Sequence, residues 1–362
     1  MDDLYEFFEF QRVGGLDKQL TDSQKISSNK YFMRTRKEAN RDVKADNCFI
    51  CKKPCTSFCN SHSIPTFILT NIAEQGKLFR ANIINDNSAP LAEVGVKQAG
   101  TFRNICRDCD STVFQEYEND TAIENSLNNI FLSEIALKNY LNEMYKKSVS
   151  VQMFNKMSSF SPMAGSQVYP SSLDALEAEQ CANYALRSIN GKAKGYYLFF
   201  NMVLNYRVPI AFQNRINLVA DLCGNMVNNV YNFDNDYTQK SLHICVFPLK
   251  EKSIILMFVE EGDKRYSRFR KQFNKLSLDE KLEVINYMLF LYSDDIYISP
   301  SICHSVLENE NLIDVCSITS SFKISTNKPI FEINPIIPAL RTFDLSKRKI
   351  IPNFLSTEYS LS

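Results

Sequence analysis

Two Cys-x-x-Cys pairs are the residues of this chain whose type and spacing most directly indicate chemistry. Cys48 and Cys51 form the first pair, Cys106 and Cys109 form the second, and 54 residues separate them. Each pair can place two thiolates on one tight turn, so together they supply the four sulfur ligands of a tetrahedral structural zinc site. The separation is longer than in a compact zinc ribbon, which predicts an inserted segment between the two knuckles.

Three further potential ligands follow the first cysteine pair closely. Cys51 with Cys55, or Cys59 with His62, are alternative ligand pairs for the same ion or for a second site. The two matched pairs are preferred because they require the least adjustment of the backbone. In the alternative interpretation, His62 is a zinc ligand or a hydrogen-bonded core histidine.

The segment Ser61-His62-Ser63-Ile64-Pro65 lies between the two knuckles. It resembles the Asp/Glu-His-x-Ile-Pro segment of HNH endonucleases, and this resemblance implies a ββα-metal fold in which His62 lies on a strand that faces a catalytic metal. In zinc-bearing members of that superfamily, the residue directly after the last knuckle cysteine binds this metal. That residue is Asp110 here, and its carboxylate suits Mg²⁺ or Mn²⁺.

The resemblance implies metal-dependent hydrolysis of phosphodiester bonds in DNA. In this interpretation, His62 is the general base for an attacking water, and a divalent ion at Asp110 stabilises the developing charge and the leaving oxygen. Asn104 is a third catalytic candidate, placed to orient His62 or the phosphate. Ser61 departs from the family pattern, because HNH nucleases carry an Asp or another metal ligand there. This favours an alternative function, an inactive zinc module that binds nucleic acid or a protein partner.

The similarity extends through Gly100-Thr101-Phe102 to Phe114 and Glu118, so its motifs span about residues 45–120. Over this range the chain is similar to bacterial HNH-like zinc proteins that look like parts of anti-phage defence loci. The resemblance therefore implies an antiviral effector that acts on DNA, with RNA as an alternative substrate. It also implies a protein partner, such as an ATPase or another subunit of a defence complex.

Length and composition set broader limits on the function. The chain has 362 residues, with 41 Lys+Arg, 41 Asp+Glu and 11 Cys. This length favours two domains, and an odd cysteine count argues against a secreted disulfide framework. The first residues are acidic where a signal peptide is positive, and no apolar run approaches the roughly 20 residues that cross a bilayer. We therefore expect a cytoplasmic protein without membrane association.

The neutral total charge conceals two basic segments. Residues 30–53 carry eight Lys or Arg and three acidic residues, a net charge of +5 beside the first knuckle, and five more basic residues lie between Lys264 and Lys271. Each segment is interpreted either as a solvated surface or as a contact for nucleic-acid phosphates.

We expect an α+β protein with three regions. These are a polar, basic and loosely docked lead-in at 1–45, a zinc-binding module at 46–120 that the resemblance implies to be an HNH-like ββα fold, and a regulatory or partner-binding domain at 121–362. Helices packed on a mixed or antiparallel sheet are expected in the third region. The spacing predicts helices at 123–145, 173–190 and 278–294, a loop at 157–172, and strands at 196–204, 216–222, 242–247 and 254–259.

The remaining histidines and cysteines are interpreted as structural. His243 alternates with apolar neighbours, which predicts a hydrogen-bonded histidine on a strand face, and His304 lies in a short helical stretch beside Cys303. Four cysteines lie among apolar residues and are expected to be small buried hydrophobic groups. These four are Cys181, Cys223, Cys245 and Cys316.

Overall fold

The computed structural model describes residues 22–81, 91–125, 127–159, 162–232, 234, 236–318 and 336–361. The α-helices are α1 (Asp22–Asp42), α2 (Thr66–Ile72), α3 (Arg107–Val113), α4 (Asp120–Asn125), α5 (Asn129–Met157), α6 (Pro162–Ser166), α7 (Val168–Ile189), α8 (Ser267–Asn274), α9 (Leu278–Tyr292), α10 (His304–Leu307), α11 (Glu310–Ile318) and α12 (Ile336–Thr342). The strands are β1 (Ser61–His62), β2 (Lys77–Ala81), β3 (Leu91–Gly95), β4 (Thr101–Phe102), β5 (Tyr196–Leu204), β6 (Ile210–Ile216), β7 (Leu242–Pro248), β8 (Ser253–Glu260) and β9 (Tyr297–Ile298). The predicted α+β class is confirmed.

Seven of the strands form one antiparallel sheet in the order β3-β2-β9-β6-β7-β8-β5. In its centre, Ile244 and Met257 face one hydrophobic core, whereas Phe247 and Phe258 face the other. Because successive side chains of a strand point to opposite faces, the continuous apolar runs of β7 and β8 fill two cores at once. Helix α9 contributes to the first core, and α5 contributes to the second.

Helix α5 is buried on all sides over residues 131–142. It packs against α7 and the sheet, and the hydroxyls of Ser133 and Ser188 lie 2.8 Å apart across the α5–α7 contact. A helix without a solvent-exposed face must satisfy its polar side chains inside the protein. The polar residues of α5 therefore determine which parts of the chain can pack against it.

The lead-in is packed more firmly than its polar sequence predicts. Residues 22–42 form helix α1, and Phe32, Thr35 and Ala39 are buried against α5. These three residues recur at steps of three and four, so one narrow stripe suffices to dock an otherwise polar helix. The expectation of a loosely docked segment was therefore wrong for this part, and residues 1–21 lie outside the described residues.

Most of the predicted elements in the third region are present. The strands at 196–204, 242–247 and 254–259 are confirmed, and α9 begins at the predicted capping box of Ser277 and Glu280. The predicted helix at 123–145 is divided, since α4 ends at Asn125 and the Asn128 side chain caps the start of α5.

Two of the element predictions were wrong. The strand in this part of the sheet is β6, at Ile210–Ile216, and residues 217–222 lie outside it. These residues lead into a turn at Asp221, whose Oδ1 accepts hydrogen bonds from the N–H groups of Cys223 and Asn225. The predicted loop at 157–172 contains α6 and the start of α7. Cys223 is also exposed, contrary to the expectation of a buried thiol, since it lies on the turn at Asp221.

Among the described helices, none combines the length and the apolar composition that a membrane span needs.

His243 is fully buried on β7, as the alternation predicted. Its Nδ1 lies 3.0 Å from Nδ2 of Asn139, its Nε2 lies 3.2 Å from the Tyr140 hydroxyl, and its ring stacks on Phe258. Burial, together with the charge of Arg215, lowers the pKa of His243 from 6.5 to about 3. The imidazole is therefore a neutral hydrogen-bonding group that links α5 to the sheet.

This burial predicts a pH-dependent stability. The unfolded chain takes up a proton at His243 near pH 6.5, whereas the folded chain does not, so the stabilisation is complete above that pH and is lost as the pH falls toward 3. Between pH 7.5 and pH 5.5, we expect the wild type to lose about 1 kcal/mol more unfolding free energy in urea than His243→Gln. Both proteins contain the same cysteines, so protonation of the thiols affects their stabilities equally. An equal loss of unfolding free energy in wild type and His243→Gln would contradict the burial of a neutral His243.

Candidate metal centre and adjoining polar cluster

The two Cys-x-x-Cys pairs come together in space. The Sγ atoms of Cys48, Cys51, Cys106 and Cys109 all lie within 4.8 Å of one another, and those of Cys51 and Cys106 are 3.9 Å apart. Tetrahedral zinc with Zn–S bonds of about 2.3 Å separates its sulfur atoms by about 3.8 Å. The four cysteines therefore have the donor type and spacing that a structural zinc ion requires.

Backbone hydrogen bonds hold the first knuckle against the second. The N–H of Phe49 donates to the carbonyl of Asn104 at 2.9 Å, and the N–H of Cys59 donates to the carbonyl of Ile105 at 3.1 Å. Strand β1 pairs with β4, which carries the chain back from the inserted segment to the second knuckle. The insertion supplies β2 and β3 to the large sheet, so the predicted segment between the knuckles is part of the main fold.

The thiols differ in how readily they lose a proton. Burial raises the pKa of Cys48, but the N–H groups of Cys106, Cys51 and Ile50 outweigh this and lower the pKa to about 7. Burial and the neighbouring sulfur atoms raise the pKa of Cys109 above its ordinary value. Since zinc binds thiolates, we expect metal binding to release protons from this cluster.

The alternative zinc ligands lie outside the cluster. Cys55 Sγ donates to the carbonyl of Ser57 at 3.0 Å, and Cys59 Sγ donates to Asp110 Oδ2 at 3.4 Å. Burial and the charge of Asp110 raise the pKa of the Cys59 thiol to about 11, which keeps it protonated. Among the described residues, Cys48, Cys51, Cys106 and Cys109 are the one group of three or more Cys, His, Asp or Glu side chains whose ligand atoms lie within 4.8 Å of one another, and His62 is not part of it.

His62 lies on β1 and is half-buried. Its Nε2 is 3.2 Å from the carbonyl oxygen of Val96. A carbonyl can only accept a hydrogen bond, so Nε2 carries the proton and the lone pair of neutral His62 lies on Nδ1. Burial lowers the pKa of His62, which favours this neutral form. The ring therefore has the protonation state of a general base.

Asp110 lies on α3, directly after the last knuckle cysteine, and its carboxylate is surrounded by donors. Ser61 Oγ donates to Oδ1, and the ammonium of Lys138 from α5 lies 3.2 Å from the same oxygen. Lys138 also contacts the carboxylate of Glu118 and lies 4.4 Å from the ring centre of Phe114. These five residues, Ser61, Asp110, Phe114, Glu118 and Lys138, are called the Lys138 cluster below.

The Lys138 cluster holds one ammonium and two carboxylates. Lys138 has only 1% of its side chain exposed. Burial alone would raise the pKa of Asp110, but Lys138 and Ser61 hold it below its ordinary value. At Glu118, burial outweighs Lys138 and raises the pKa. One ammonium thus neutralises Asp110 and is shared with a second carboxylate.

Asn104 is buried away from this chemistry. Its Nδ2 donates to the carbonyl of Leu141 on α5 at 2.9 Å. This contact anchors the second knuckle to the central helix. The predicted role of Asn104 in orienting His62 or a phosphate has no corresponding contact among the described residues.

Sequence reasoning missed Lys138, which is the most unusual charged residue of the site. It lies within the apolar sequence Ile135-Ala-Leu-Lys-Asn-Tyr-Leu141 of a predicted helix. A lysine is almost never fully buried unless it is paired, so a lysine in such a segment is a signal for a buried carboxylate partner. The sequence contains this signal, but it does not identify Asp110 and Glu118 as the partners.

Comparison of the chain with known protein families, with curated proteins and with solved structures gave no match.

The cysteine geometry predicts one zinc ion per chain. We expect metal analysis of the purified protein to find about one equivalent of zinc, and Cys106→Ser to lose it and to unfold at a lower temperature, because binding free energy contributes to folding. Cys55→Ser is the matched control, since Cys55 lies in the same region but outside the cluster. Zinc loss in Cys55→Ser, with retention in Cys106→Ser, would contradict the assignment.

Proposed function

We propose that this protein is a metal-dependent endonuclease that hydrolyses phosphodiester bonds in DNA, with His62 as the general base. The observation that carries the proposal is the hydrogen bond from His62 Nε2 to the Val96 carbonyl, which leaves the Nδ1 lone pair available. Among the described residues, no group hydrogen-bonds to Nδ1. A general base requires such a free lone pair and a pKa that keeps it unprotonated at neutral pH.

The order of the elements around His62 supports the same proposal. The strand that carries His62 pairs with β4, and α3 follows with Asp110 in its first turn. Ser61, the neighbour of His62, donates to Asp110, so the strand and the helix are joined at this point. The resemblance to HNH nucleases implies that such a strand and helix bring the histidine and a metal ligand together, on a module that the four cysteines would hold.

The Lys138 cluster contains the oxygen ligands that a hard divalent cation prefers. Asp110 and Glu118 approach one shared cation, the ammonium of Lys138, and Ser61 adds a hydroxyl oxygen. When bound there in place of the ammonium, Mg²⁺ or Mn²⁺ would stabilise charge on the phosphate and the leaving oxygen. His62 would take the proton of the attacking water, and Asp110 and Glu118 would hold the cation.

Cationic side chains near the module suit a polyanionic substrate. Arg103 precedes Cys106 and Arg107 follows it, and both side chains are exposed. Lys52 and Lys53 are exposed directly after the first knuckle. Arg103 donates to Asn60, which directly precedes β1. These residues can contact backbone phosphates without reading base sequence. An effector role in anti-phage defence is the biological setting that the resemblance favours.

Replacement of His62 tests this mechanism. We expect the purified protein to nick or degrade plasmid DNA with Mg²⁺ or Mn²⁺, and His62→Ala to reduce the rate by about 100-fold or more, since a general base contributes at least that factor. His304→Ala is the control, because His304 is an exposed histidine that contacts Phe79 on the large sheet. Equal rates for wild type and His62→Ala would overturn the proposal.

A second candidate function is supported by the same cluster. The Asp110 carboxylate already accepts hydrogen bonds from Ser61 and Cys59 and is paired with Lys138. If the ammonium is a permanent substitute for the metal, the module is an inactive zinc domain that binds nucleic acid or a protein partner. The two functions differ in whether a divalent ion can replace the ammonium.

Lys138→Met distinguishes these two functions. Removing the ammonium leaves Asp110 without its buried partner, so we expect the free energy of unfolding to fall by about 3–5 kcal/mol in the presence of EDTA at a concentration that retains the knuckle zinc. Millimolar Mn²⁺ should recover part of this loss in Lys138→Met, because the ion binds the folded state. Lys271→Met, at an exposed position on α8 and without an ion pair to any described residue, controls for nonspecific effects.

The nuclease proposal further predicts that the Mn²⁺ effect in Lys138→Met disappears when Asp110→Asn is added. Recovery that depends on Asp110 supports a cation site that a metal can occupy. An absence of any Mn²⁺ effect on Lys138→Met, together with inactive wild-type protein, would instead establish the inactive module.

A further inference from the structure

A basic cleft lies at the edge of the large sheet, apart from the Lys138 cluster. It has a volume of about 690 Å³ and is formed by the end of α7, the segment before β5, the start of β7 and the turn after β8. Its lining residues are Tyr184, Arg187, Lys192, Ala193, Lys194, Lys240, Glu260, Glu261, Gly262, Asp263 and Lys264. The volume is within the range of sites for small ligands, about 300–1,000 Å³.

The cleft contains more positive than negative side chains. Five of its residues are cationic and three are acidic. Lys240 is paired with Glu260 at 2.9 Å, but the other four cationic residues form no ion pair with any described residue. These four are Arg187, Lys192, Lys194 and Lys264. Because they come from three different segments, the fold itself brings like charges together, and a bound anion would relieve their repulsion.

The cleft also has groups that can recognise more than an anion. The ring of Tyr184 lies at its wall, with the Arg187 guanidinium 5.9 Å from the ring centre. Oδ2 of Asp263 is buried and has no hydrogen-bond partner among the described residues. An aromatic ring can stack with a base, and an unpaired carboxylate oxygen can accept a hydrogen bond from a ribose hydroxyl or an exocyclic amine.

We propose that this cleft binds a nucleoside polyphosphate. The four unpaired cations meet the phosphates, Tyr184 contacts the base, and Asp263 accepts a hydrogen bond from the ribose or the base. The site is independent of the nuclease proposal, since it shares no residue with the knuckles, His62 or the Lys138 cluster. It gives the chain a place to bind a small anionic ligand at the start of β5 and the end of β8.

Fluorescence anisotropy with MANT-labelled ATP tests the proposal on the 362-residue chain. We expect saturable binding that pyrophosphate competes away, and at least tenfold weaker binding of MANT-adenosine, which lacks phosphates. The variant Lys192→Glu/Lys194→Glu should weaken MANT-ATP binding by at least tenfold. Lys264→Glu lies on a different segment and should weaken it by at least threefold, which provides a second variant if the first one folds poorly.

Lys250→Glu/Lys252→Glu is the control for net charge, and its thermal unfolding is measured alongside because Lys252 pairs with Glu124 at 2.9 Å. It makes the same change in net charge, but its residues lie at the turn between β7 and β8, at the opposite end of β8 from Glu260. That separation is about 25 Å at 3.3 Å per residue. We expect this variant to bind MANT-ATP as the wild type does.

Three results would overturn the proposal: no saturable binding of MANT-ATP, equal weakening by both double variants, or equal binding of MANT-adenosine and MANT-ATP. A dT15 oligonucleotide serves as the remaining probe. If it binds in a manner that depends on Lys192 and Lys194 while MANT-ATP does not, the cleft is a nucleic-acid surface and the nucleotide proposal is wrong.

Discussion

The buried ammonium of Lys138 is the constraint on which the arrangement of the site depends. Helix α5 has no solvent-exposed face over residues 131–142, so this charge must be neutralised inside the protein. Asp110 and Glu118 supply the neutralising carboxylates, and Asp110 lies directly after the last knuckle cysteine. The same ion pairs therefore fix α3, and with it the second knuckle, against the centre of the fold.

Other polar residues of α5 also form contacts that join this helix to the sheet and to the segment before β9. Asn139 contacts His243 of the sheet, and Lys146 pairs with Asp294 and Asp295 just before β9. Arg80, from the segment inserted between the knuckles, pairs with the same two aspartates at 3.1 and 2.8 Å. The inserted segment is thus tied to the sheet both by strand pairing and by charge. The four cysteines and His62 consequently sit on a rigid support, which a precise site requires.

The sequence allowed the cysteine cluster, three strands of the large sheet and helix α9 to be predicted, because each has a local signature. Cys-x-x-Cys spacing, continuous apolar runs and the Ser277–Glu280 capping box are all readable within a few residues. The packing of α1 was missed, since its buried stripe is narrow and its partner on α5 is more than a hundred residues away.

The polar clusters were beyond sequence reasoning for a similar reason. Lys138 is 28 residues from Asp110 along the chain, and the pattern of a helix does not say which carboxylate will meet its lysine. The tautomer of His62 likewise depends on Val96, which approaches only after β1 and β4 have paired. Spacing identified the residue types at the site, whereas their protonation states and ion pairs follow from long-range packing.

The proposed nuclease activity requires that a divalent ion replace the Lys138 ammonium between Asp110 and Glu118. Anomalous X-ray diffraction from crystals grown with Mn²⁺, recorded at the zinc and manganese edges, tests whether this exchange occurs. The expected result is zinc at the four cysteines and manganese between Asp110 and Glu118, with the Lys138 ammonium moved aside. Zinc at the cysteines with no manganese at Asp110, and with Lys138 still between the two carboxylates, would contradict it.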